Sequence, residues 1–173
     1  MAIMDIPFTI PAIYRNLSRR VSYLCAMLQE SNSIPSMLKK LEIPSLNEMQ
    51  LAAAVAISKS DDVMVLSPTG SGKTLAFLLP LLEQMSAEPE GIEVLILVPS
   101  RELAMQIEQV TRSLGSGYKV NVVYGGQAFS KDKMNLKHRP AILVGTPGRV
   151  ADHLRRKIFP VGKIKTLVRD EFD

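Results

Sequence analysis

The residues with the clearest chemistry lie in the glycine-rich segment 67–74, which reads SPTGSGKT. Glycines let consecutive backbone N–H groups turn inward without a Cβ clash, and such a nest binds phosphate oxygens. Lys73 would supply a mobile cation for the β- and γ-phosphates, and the Thr74 hydroxyl is an oxygen ligand suited to Mg²⁺. The segment therefore predicts a phosphate-binding loop. Its other predicted nucleotide-binding positions are Ser67, Thr69, Gly70, Ser71 and Gly72.

The neighbours of this loop favour that interpretation over a plain glycine-rich turn. Residues 63–66 predict a short apolar strand, and residues 73–85 predict a helix. A helix that begins at the loop adds its partial positive charge to the anion site. A chance Gly-x-Gly-Lys-[Ser/Thr] in a chain of this length is roughly a one-in-a-hundred event at average glycine usage. Ser67 is a departure, since the general pattern has glycine there.

A second group of reactive side chains lies at residues 170–173, DEFD, after a strand predicted at 165–168. Asp170 would hold Mg²⁺ through its water shell, and Glu171 would take a proton from an attacking water. By themselves these acids would more often be a solvated chain end. Together with the loop they indicate nucleotide hydrolysis, with Lys73, Asp170 and Glu171 as catalytic candidates and Thr74 and Asp170 as metal ligands.

Four residues that follow predicted strands could bind a phosphate backbone: Arg101, Gly126, Thr146 and Arg149. Arg101 begins a predicted helix, so its guanidinium and the helix N–H groups suit the same phosphate. Gly126 permits close backbone approach, and Thr146 and Arg149 flank a Pro-Gly turn. The alternatives are a plain turn around Gly126 and a surface ion pair between Arg149 and Asp152.

These residues need a scaffold, and the chain predicts one in which strands and helices alternate. This alternation implies an α/β fold with a parallel sheet covered by helices on both faces, and ligands then bind beyond the carboxyl ends of the strands. Residues 13–28 predict an amphipathic helix inside an N-terminal extension, 1–33, that precedes a domain at 34–173. The other predicted strands are 94–98, 120–124 and 141–144, and the other predicted helices begin after Asn47, at Arg101 (to Leu114) and at Gly148 (to Arg155).

The composition excludes several classes of protein. The 173 residues are 46% hydrophobic and 22% charged, an ordinary globular balance without a bilayer-spanning run. One cysteine, Cys25, rules out an internal disulfide framework, so a cytoplasmic location is expected. His138 and His153 are expected to be exposed and idle, whereas Tyr124 and Phe129 are expected to pack rather than stack on bases.

The net charge of +4 is unevenly distributed. Residues 119–165 hold eleven Lys or Arg against two acids, a local charge of +9, and the rest of the chain carries −5. A basic region of this kind suits a polyanion, although charge alone is as consistent with a solvated face. Arg149, Gly126 and Thr146 lie inside it, which favours nucleic acid.

Taken in order, these segments resemble the motifs of the DEAD-box RNA helicases. The resemblance covers residues 34–173 and implies the family's first RecA-like domain. It implies binding of ATP and Mg²⁺, with Gln50 recognising the adenine edge, and sequence-independent binding of RNA through its backbone. The resembling segments are LNEMQ at 46–50 (Q motif), SPTGSGKT at 67–74, PSRELA at 99–104 (motif Ia), the glycine pair at 125–126, TPGR at 146–149 (motif Ib) and DEFD at 170–173 (motif II).

The sequence also departs from the family. Phe172 replaces an alanine, Arg169 stands where an apolar strand residue is usual, and Leu46 stands where the Q motif has proline. The chain stops at motif II, so motif III and a second RecA-like domain would have to come from elsewhere. We therefore expect this half, a monomer without a membrane partner, to be inactive or nearly so by itself.

Two other functions remain open on the sequence. One is a DNA helicase or translocase built on the same domain. The other is a nucleotide-gated RNA-binding scaffold without turnover.

Overall fold

The computed structural model describes residues 2–4 and 34–171. The predicted helix at 13–28, Cys25, and the last two positions of the acidic segment lie outside these residues. The strands are β1 (Ala2–Met4), β2 (Val63–Val65), β3 (Val94–Leu97), β4 (Val120–Val123), β5 (Ile142–Gly145) and β6 (Thr166–Arg169). The helices are α1 (Ile34–Lys40), α2 (Glu48–Lys59), α3 (Lys73–Gln84), α4 (Arg101–Leu114), α5 (Phe129–Leu136) and α6 (Pro147–Arg155).

The chain divides into two compact units, residues 1–84 and residues 85–173. In the first, β1 and β2 form a two-stranded parallel sheet, with Ala2 opposite Val63. Helices α2 and α3 pack against each other and bury small and branched side chains. Their most deeply buried apolar residues include Ala53, Ala54, Ala76, Leu78 and Leu79.

The second unit is built on a four-stranded parallel sheet in the order β4-β5-β3-β6. The two inner strands, β3 and β5, have no polar side chain, and β5 is buried along its whole length, as expected for a parallel sheet. Ile92, Leu95, Val123, Leu136, Leu143, Val150 and Phe159 form its buried apolar cluster. The edge strand β6 alternates half-buried and exposed side chains, and Arg169 is one of the exposed residues. Its charge therefore does not disturb the packing of the sheet.

Helix α4 shows how closely local sequence determines an element. The Ser100 side chain accepts a hydrogen bond from the Leu103 N–H at 3.1 Å and caps the first turn. Gly115 ends the helix in the left-handed conformation, at φ 58°. The predicted bounds, 101 to 114, are confirmed.

One helix was not predicted, and one expectation was wrong. Helix α5 was not predicted, because its buried positions are Asp132 and Leu136, and a carboxylate on the inner face hides the apolar pattern. His153 is not exposed but fully buried, since its ring lies against α5 and hydrogen-bonds to Asp132. The expected exposure of His138 is confirmed.

None of the helices in the described residues has the length and apolar character needed to cross a bilayer.

The close packing of α6 on the sheet depends on Gly145. A Cβ at this position would lie 2.6 Å from Val150 Cγ2 and 2.9 Å from the Val123 carbonyl oxygen. We expect Gly145→Ala to lower the free energy of unfolding by about 1–3 kcal/mol, because backbone as well as side chain must shift. Urea denaturation followed by circular dichroism measures the change.

Gly148→Ala is the matched control, because a Cβ there meets nothing within 4 Å. It should leave stability unchanged or raise it by up to about 1 kcal/mol, as alanine is the better helix former. Equal destabilisation by the two substitutions would contradict the steric role of Gly145.

Candidate functional site

The glycine-rich loop has the geometry of an anion nest. It connects β2 to α3, and Gly70 and Gly72 have φ of +81° and +86°, values that side-chain-bearing residues adopt with strain. The loop closes with a hydrogen bond from the Ser71 N–H to the Pro68 carbonyl at 3.3 Å. Helix α3 begins directly after Gly72, whose carbonyl accepts from the Leu75 and Ala76 N–H groups at 3.2 Å each, and the N-terminus of a helix favours an anion.

Lys73 lies across this loop. Its Nζ donates to the Ser67 carbonyl at 2.6 Å and to the Pro68 carbonyl at 3.0 Å. Neutral carbonyl oxygens are weaker partners for an ammonium than phosphate oxygens are. The cation is therefore held at the loop in a position from which a phosphate can recruit it.

Two hydroxyl groups at the loop, those of Ser71 and Thr74, also suit a ligand with phosphate groups. Ser71 Oγ is buried and has no hydrogen-bond partner among the described residues, which is unusual for a buried hydroxyl. Thr74, the second residue of α3 and three residues further along the chain, is half-buried. The loop thus holds one buried hydroxyl, that of Ser71, with no partner among the described residues.

Gln50 joins the start of α2 to this loop. Its side chain is buried, and its Nε2 donates to the Gly72 carbonyl at 3.2 Å. Asn47 forms a capping box with it: the Asn47 side chain accepts from the Gln50 N–H, and Gln50 Oε1 accepts from the Asn47 N–H, each at 2.9 Å. Asn47 Nδ2 also donates to the Ser71 carbonyl at 3.1 Å. One helix terminus is therefore hydrogen-bonded to the loop at two points.

In the second unit, the predicted RNA-binding residues lie at one edge of the sheet. Parallel register places Leu97, Val123, Gly145 and Arg169 in one row at the ends of their strands. The residues that follow these four strand ends are Arg101, Gly126, Thr146, Arg149 and Asp170.

Arg101 is the most accessible of these side chains, with 59% of its surface exposed. Its guanidinium lies 5.7 Å from the centre of the Tyr124 ring and 3.5 Å from the Glu102 carboxylate. Both contacts are at the surface, so they hold the side chain only weakly. Arg101 is free to turn toward a ligand.

Gly126 and Thr146 present backbone and hydroxyl groups at the same edge. Gly126 is exposed at φ +84°, and nothing lies within 4 Å of a Cβ placed on it. Thr146 occupies the N-cap position of α6 but makes no side-chain capping bond. Its hydroxyl is thus not committed to the helix that it precedes.

Arg149 does not form the ion pair with Asp152 that was the alternative to its predicted role in RNA binding. The expected alternative partner, Asp152, bonds instead to Arg156 at 3.0 Å, and this hydrogen bond lowers the pKa of the Asp152 carboxyl. Arg149 Nε donates to Asp132 at 2.8 Å and its Nη2 to the Gln127 carbonyl at 2.7 Å. Only 14% of the Arg149 side chain is exposed.

Asp170 follows β6, and its N–H donates to the Leu97 carbonyl at 3.0 Å. Its side chain is buried, whereas Glu171 is exposed at φ 55°. Among the described residues, no three His, Cys, Asp or Glu side chains cluster closely enough to hold a metal ion by themselves. A metal here would need phosphate and water oxygens as further ligands, as Mg²⁺ commonly does.

A glycine-rich loop between a strand and a helix in the first unit, and polar residues at the carboxyl edge of a parallel sheet in the second, are features typical of P-loop nucleotide-binding proteins. A family model described as DEAD/DEAH box helicase matches residues 47–173, more than half of the chain. The chain belongs to the DEAD/DEAH box helicase family.

Individual relatives agree with this assignment. The chain is 39% identical over 151 residues to the "Probable ATP-dependent RNA helicase DDX49" of Homo sapiens, covering 86% of this chain and 31% of that protein. The yeast DEAD-box splicing factor Prp28 superposes with a TM-score of 0.68 at 30% identity, over 76% of this chain and 33% of that chain. A hypothetical ATP-dependent RNA helicase from Sulfolobus tokodaii superposes with a TM-score of 0.71 at 27% identity, over 80% and 40%. The predicted α/β, RecA-like fold is confirmed.

The chain spans about a third of the length of the relatives that it matches.

Gly72 is the point at which the loop and Gln50 meet. A Cβ on Gly72 would overlap the Gln50 side-chain amide, and its φ is in the left-handed region. We expect Gly72→Ala to destabilise the protein by about 1–2 kcal/mol from backbone strain and by about 0.5–1.5 kcal/mol more because the Gln50 amide must move and lose its hydrogen bond to Gly72. Denaturation of the purified chain measures it.

Gly70→Ala separates the two causes, because it has the same strain and no atom within 4 Å of its Cβ. Gly70→Ala should lower the free energy of unfolding only by the cost of backbone strain, about 1–2 kcal/mol. Adding Gln50→Ala to Gly72→Ala should recover part of the loss, and full additivity of these two changes would contradict the proposed contact.

Proposed function

We propose that this chain is the ATP-binding N-terminal half of an ATP-dependent RNA helicase. In the complete protein, ATP binding and hydrolysis would drive unwinding or remodelling of RNA duplexes. The observation that carries the proposal is the loop at residues 67–74, with two left-handed glycines, a helix N-terminus and Lys73 poised on carbonyl oxygens. Membership of a helicase family supports the coupling to nucleic acid.

The loop would bind the nucleotide phosphates through its backbone N–H groups and Lys73. Ser67, Thr69, Gly70, Ser71 and Gly72 would shape the nest, and Thr74 would offer its hydroxyl to Mg²⁺. The bound ion would neutralise charge that develops on the phosphate oxygens.

Gln50 would recognise adenine with the half of its amide that the protein leaves unused. A glutamine amide has two N–H donors and two carbonyl lone pairs, and the contacts to Gly72 and Asn47 use one of each. The remaining donor and acceptor match N7 and the N6 amino group of adenine. Base recognition would thus be built on the same side chain that supports the loop.

Asp170 and Glu171 would complete the chemistry. Asp170 is buried directly after β6, a placement that suits a fixed carboxylate acting on Mg²⁺ through water. Glu171 is exposed and would accept the proton of the attacking water. Lys73 would stabilise the phosphoryl group during transfer.

RNA would be held by its backbone at the carboxyl edge of the four-stranded sheet. Arg101, Gly126, Thr146 and Arg149 provide guanidinium, amide and hydroxyl donors, which contact phosphates without distinguishing bases. Arg149 has five N–H donors, of which two serve Asp132 and Gln127 in the described structure, so the others can reach a phosphate.

The whole activity would require more than these residues. We propose that a second RecA-like domain completes the site in the full protein, that the protein acts as a monomer in the cytoplasm, and that RNA duplexes are its substrate. Competition between RNA and DNA strands of equal length distinguishes this function from that of a DNA translocase.

Removal of Lys73 tests the nucleotide site. We expect Lys73→Ala to weaken ATP binding by about thirtyfold or more, because truncating one partner of a hydrogen-bonded charge pair costs about 2–5 kcal/mol. Titration with a fluorescent ATP analogue measures the affinity. Lys59→Ala, at an exposed position in the last turn of α2, should leave it unchanged. Equal affinity of wild type and Lys73→Ala would exclude the phosphate-binding role of the loop.

Removal of Arg101 tests the nucleic-acid edge. We expect Arg101→Ala to weaken binding of unrelated RNA sequences by similar factors and to reduce the salt slope by about one. Fluorescence anisotropy over a range of KCl concentrations measures both. Lys119→Ala is the control, since Lys119 is exposed and directly precedes β4. It therefore lies at the amino-terminal end of a strand, away from the carboxyl edge. A change in sequence preference, or the same slope change in the control, would contradict backbone binding at this edge.

A further inference from the structure

Helix α5 carries a fully buried carboxylate, Asp132, that the proposed function has not used. Three side chains hydrogen-bond to it: Arg149 Nε at 2.8 Å, His153 Nε2 at 2.8 Å, and Gln127 Nε2. Buried carboxylates are costly unless they are well paired, and this one is paired on both oxygens. Asp132 is therefore the centre of a network rather than a solvated surface acid.

The network connects two of the segments that we propose to bind RNA. Gln127 directly follows the glycine pair at 125–126, and Arg149 belongs to TPGR at 146–149. The Arg149 Nη2 donates to the Gln127 carbonyl at 2.7 Å, which closes a ring of contacts through Asp132. Each segment is thus held to the other through one carboxylate.

The aromatic side chain of Phe129 packs against members of this hydrogen-bond network. Phe129 stacks on His153, with ring centres 4.8 Å apart and planes inclined by 25°. The guanidinium carbons of Arg149 and Arg156 lie 5.3 Å and 4.7 Å from the centre of the Phe129 ring. These contacts restrict the rotamers of Arg149 and His153.

The His153 Nε2–H donates a hydrogen bond to the Asp132 carboxylate. Its Nδ1 is buried and has no hydrogen-bond partner in the described residues, so an N–H there would be unsatisfied. Asp132 therefore accepts a hydrogen bond from His153 Nε2 and forms an ion pair with Arg149.

We propose that Asp132 is a positioning residue for RNA binding, which aligns Arg149 and the turn at residues 125–127 for adjacent phosphates. This inference rests on the proposed function. A half-buried arginine that is fixed by a carboxylate, a carbonyl and an aromatic face loses little rotamer freedom when it binds a phosphate. Without Asp132, Arg149 loses the carboxylate that holds its Nε, and Gln127 loses its side-chain partner.

The test compares Asp132→Asn with Asp152→Asn in the full protein. Both changes remove one acid from the same basic region, but Asp152 pairs with Arg155 and Arg156 at the surface. RNA affinity, nucleotide affinity and circular dichroism are measured for each. We expect Asp132→Asn to weaken RNA binding about tenfold, the scale of one charge-assisted phosphate contact, and to leave ATP binding within about twofold of wild type. Asp152→Asn should change neither.

A double-mutant cycle distinguishes positioning from general stability. The RNA-binding losses of Asp132→Asn and Arg149→Ala should be less than additive, and each should reduce the salt slope by about one, since both remove the same phosphate contact. Additive losses with an unchanged slope in Asp132→Asn would overturn the inference.

Gln127→Ala replaces Asp132→Asn in the RNA-binding test if Asp132→Asn does not fold. It removes one donor to Asp132 and keeps the backbone carbonyl that Arg149 uses, and it should still weaken RNA binding severalfold. RNA affinity equal to wild type in the folded variants overturns the role of Asp132 and leaves the proposed function standing. Failure of the wild-type protein to bind RNA overturns the proposed function itself.

Discussion

The parallel ladder of the four-stranded sheet determines where the proposed RNA-binding residues can lie. Leu97 pairs with Gly145 and with Arg169, and Gly145 pairs with Val123. The ladder continues one residue further, through hydrogen bonds from the Thr146 N–H to Val123 and from the Asp170 N–H to Leu97. Because all four strands run in the same direction, each connection leaves the sheet at the same edge. Short polar segments far apart in sequence are therefore brought into one row by backbone hydrogen bonds alone.

In the first unit, the side chain of Gln50 makes two different structural contacts. Gln50 completes the capping box of α2 and also bonds to the Gly72 carbonyl. Any shift of that carbonyl on phosphate binding would act on the amide that we propose for adenine recognition. Base recognition and phosphate binding would then be coupled through a single hydrogen bond, without a change elsewhere in the fold. Glycine at position 72 is needed for this contact, as the space for a Cβ is taken by the Gln50 amide.

Much of this could be predicted from sequence because the relevant signals are local. The β2–loop–α3 connection, the caps of α2 and α4, and the apolar runs of β3 and β5 each depend on residues within a few positions of one another. The interior of α5 could not be predicted in this way. Asp132 occupies a core position only because Arg149 and His153 approach it from α6, seventeen and twenty-one residues later. The hydrophobic pattern of residues 129–136 does not show that Arg149 and His153 approach Asp132. For the same reason, the sequence did not show that Asp132 buries His153.

The two acids of the basic region show why charge counts predict so little about individual residues. Asp132 and Asp152 contribute equally to the net charge of residues 119–165, and each contacts arginine. Asp152 is partly exposed, and its ion pairs lie in solvent, where water and salt compete and the net gain is small. Asp132 is fully buried, so its unpaired charge would be strongly unfavourable and its partners are held in one arrangement. The restraint on Arg149 comes from this difference in burial, which is a property of how α5 packs against α6 and not of the number of charges in the chain.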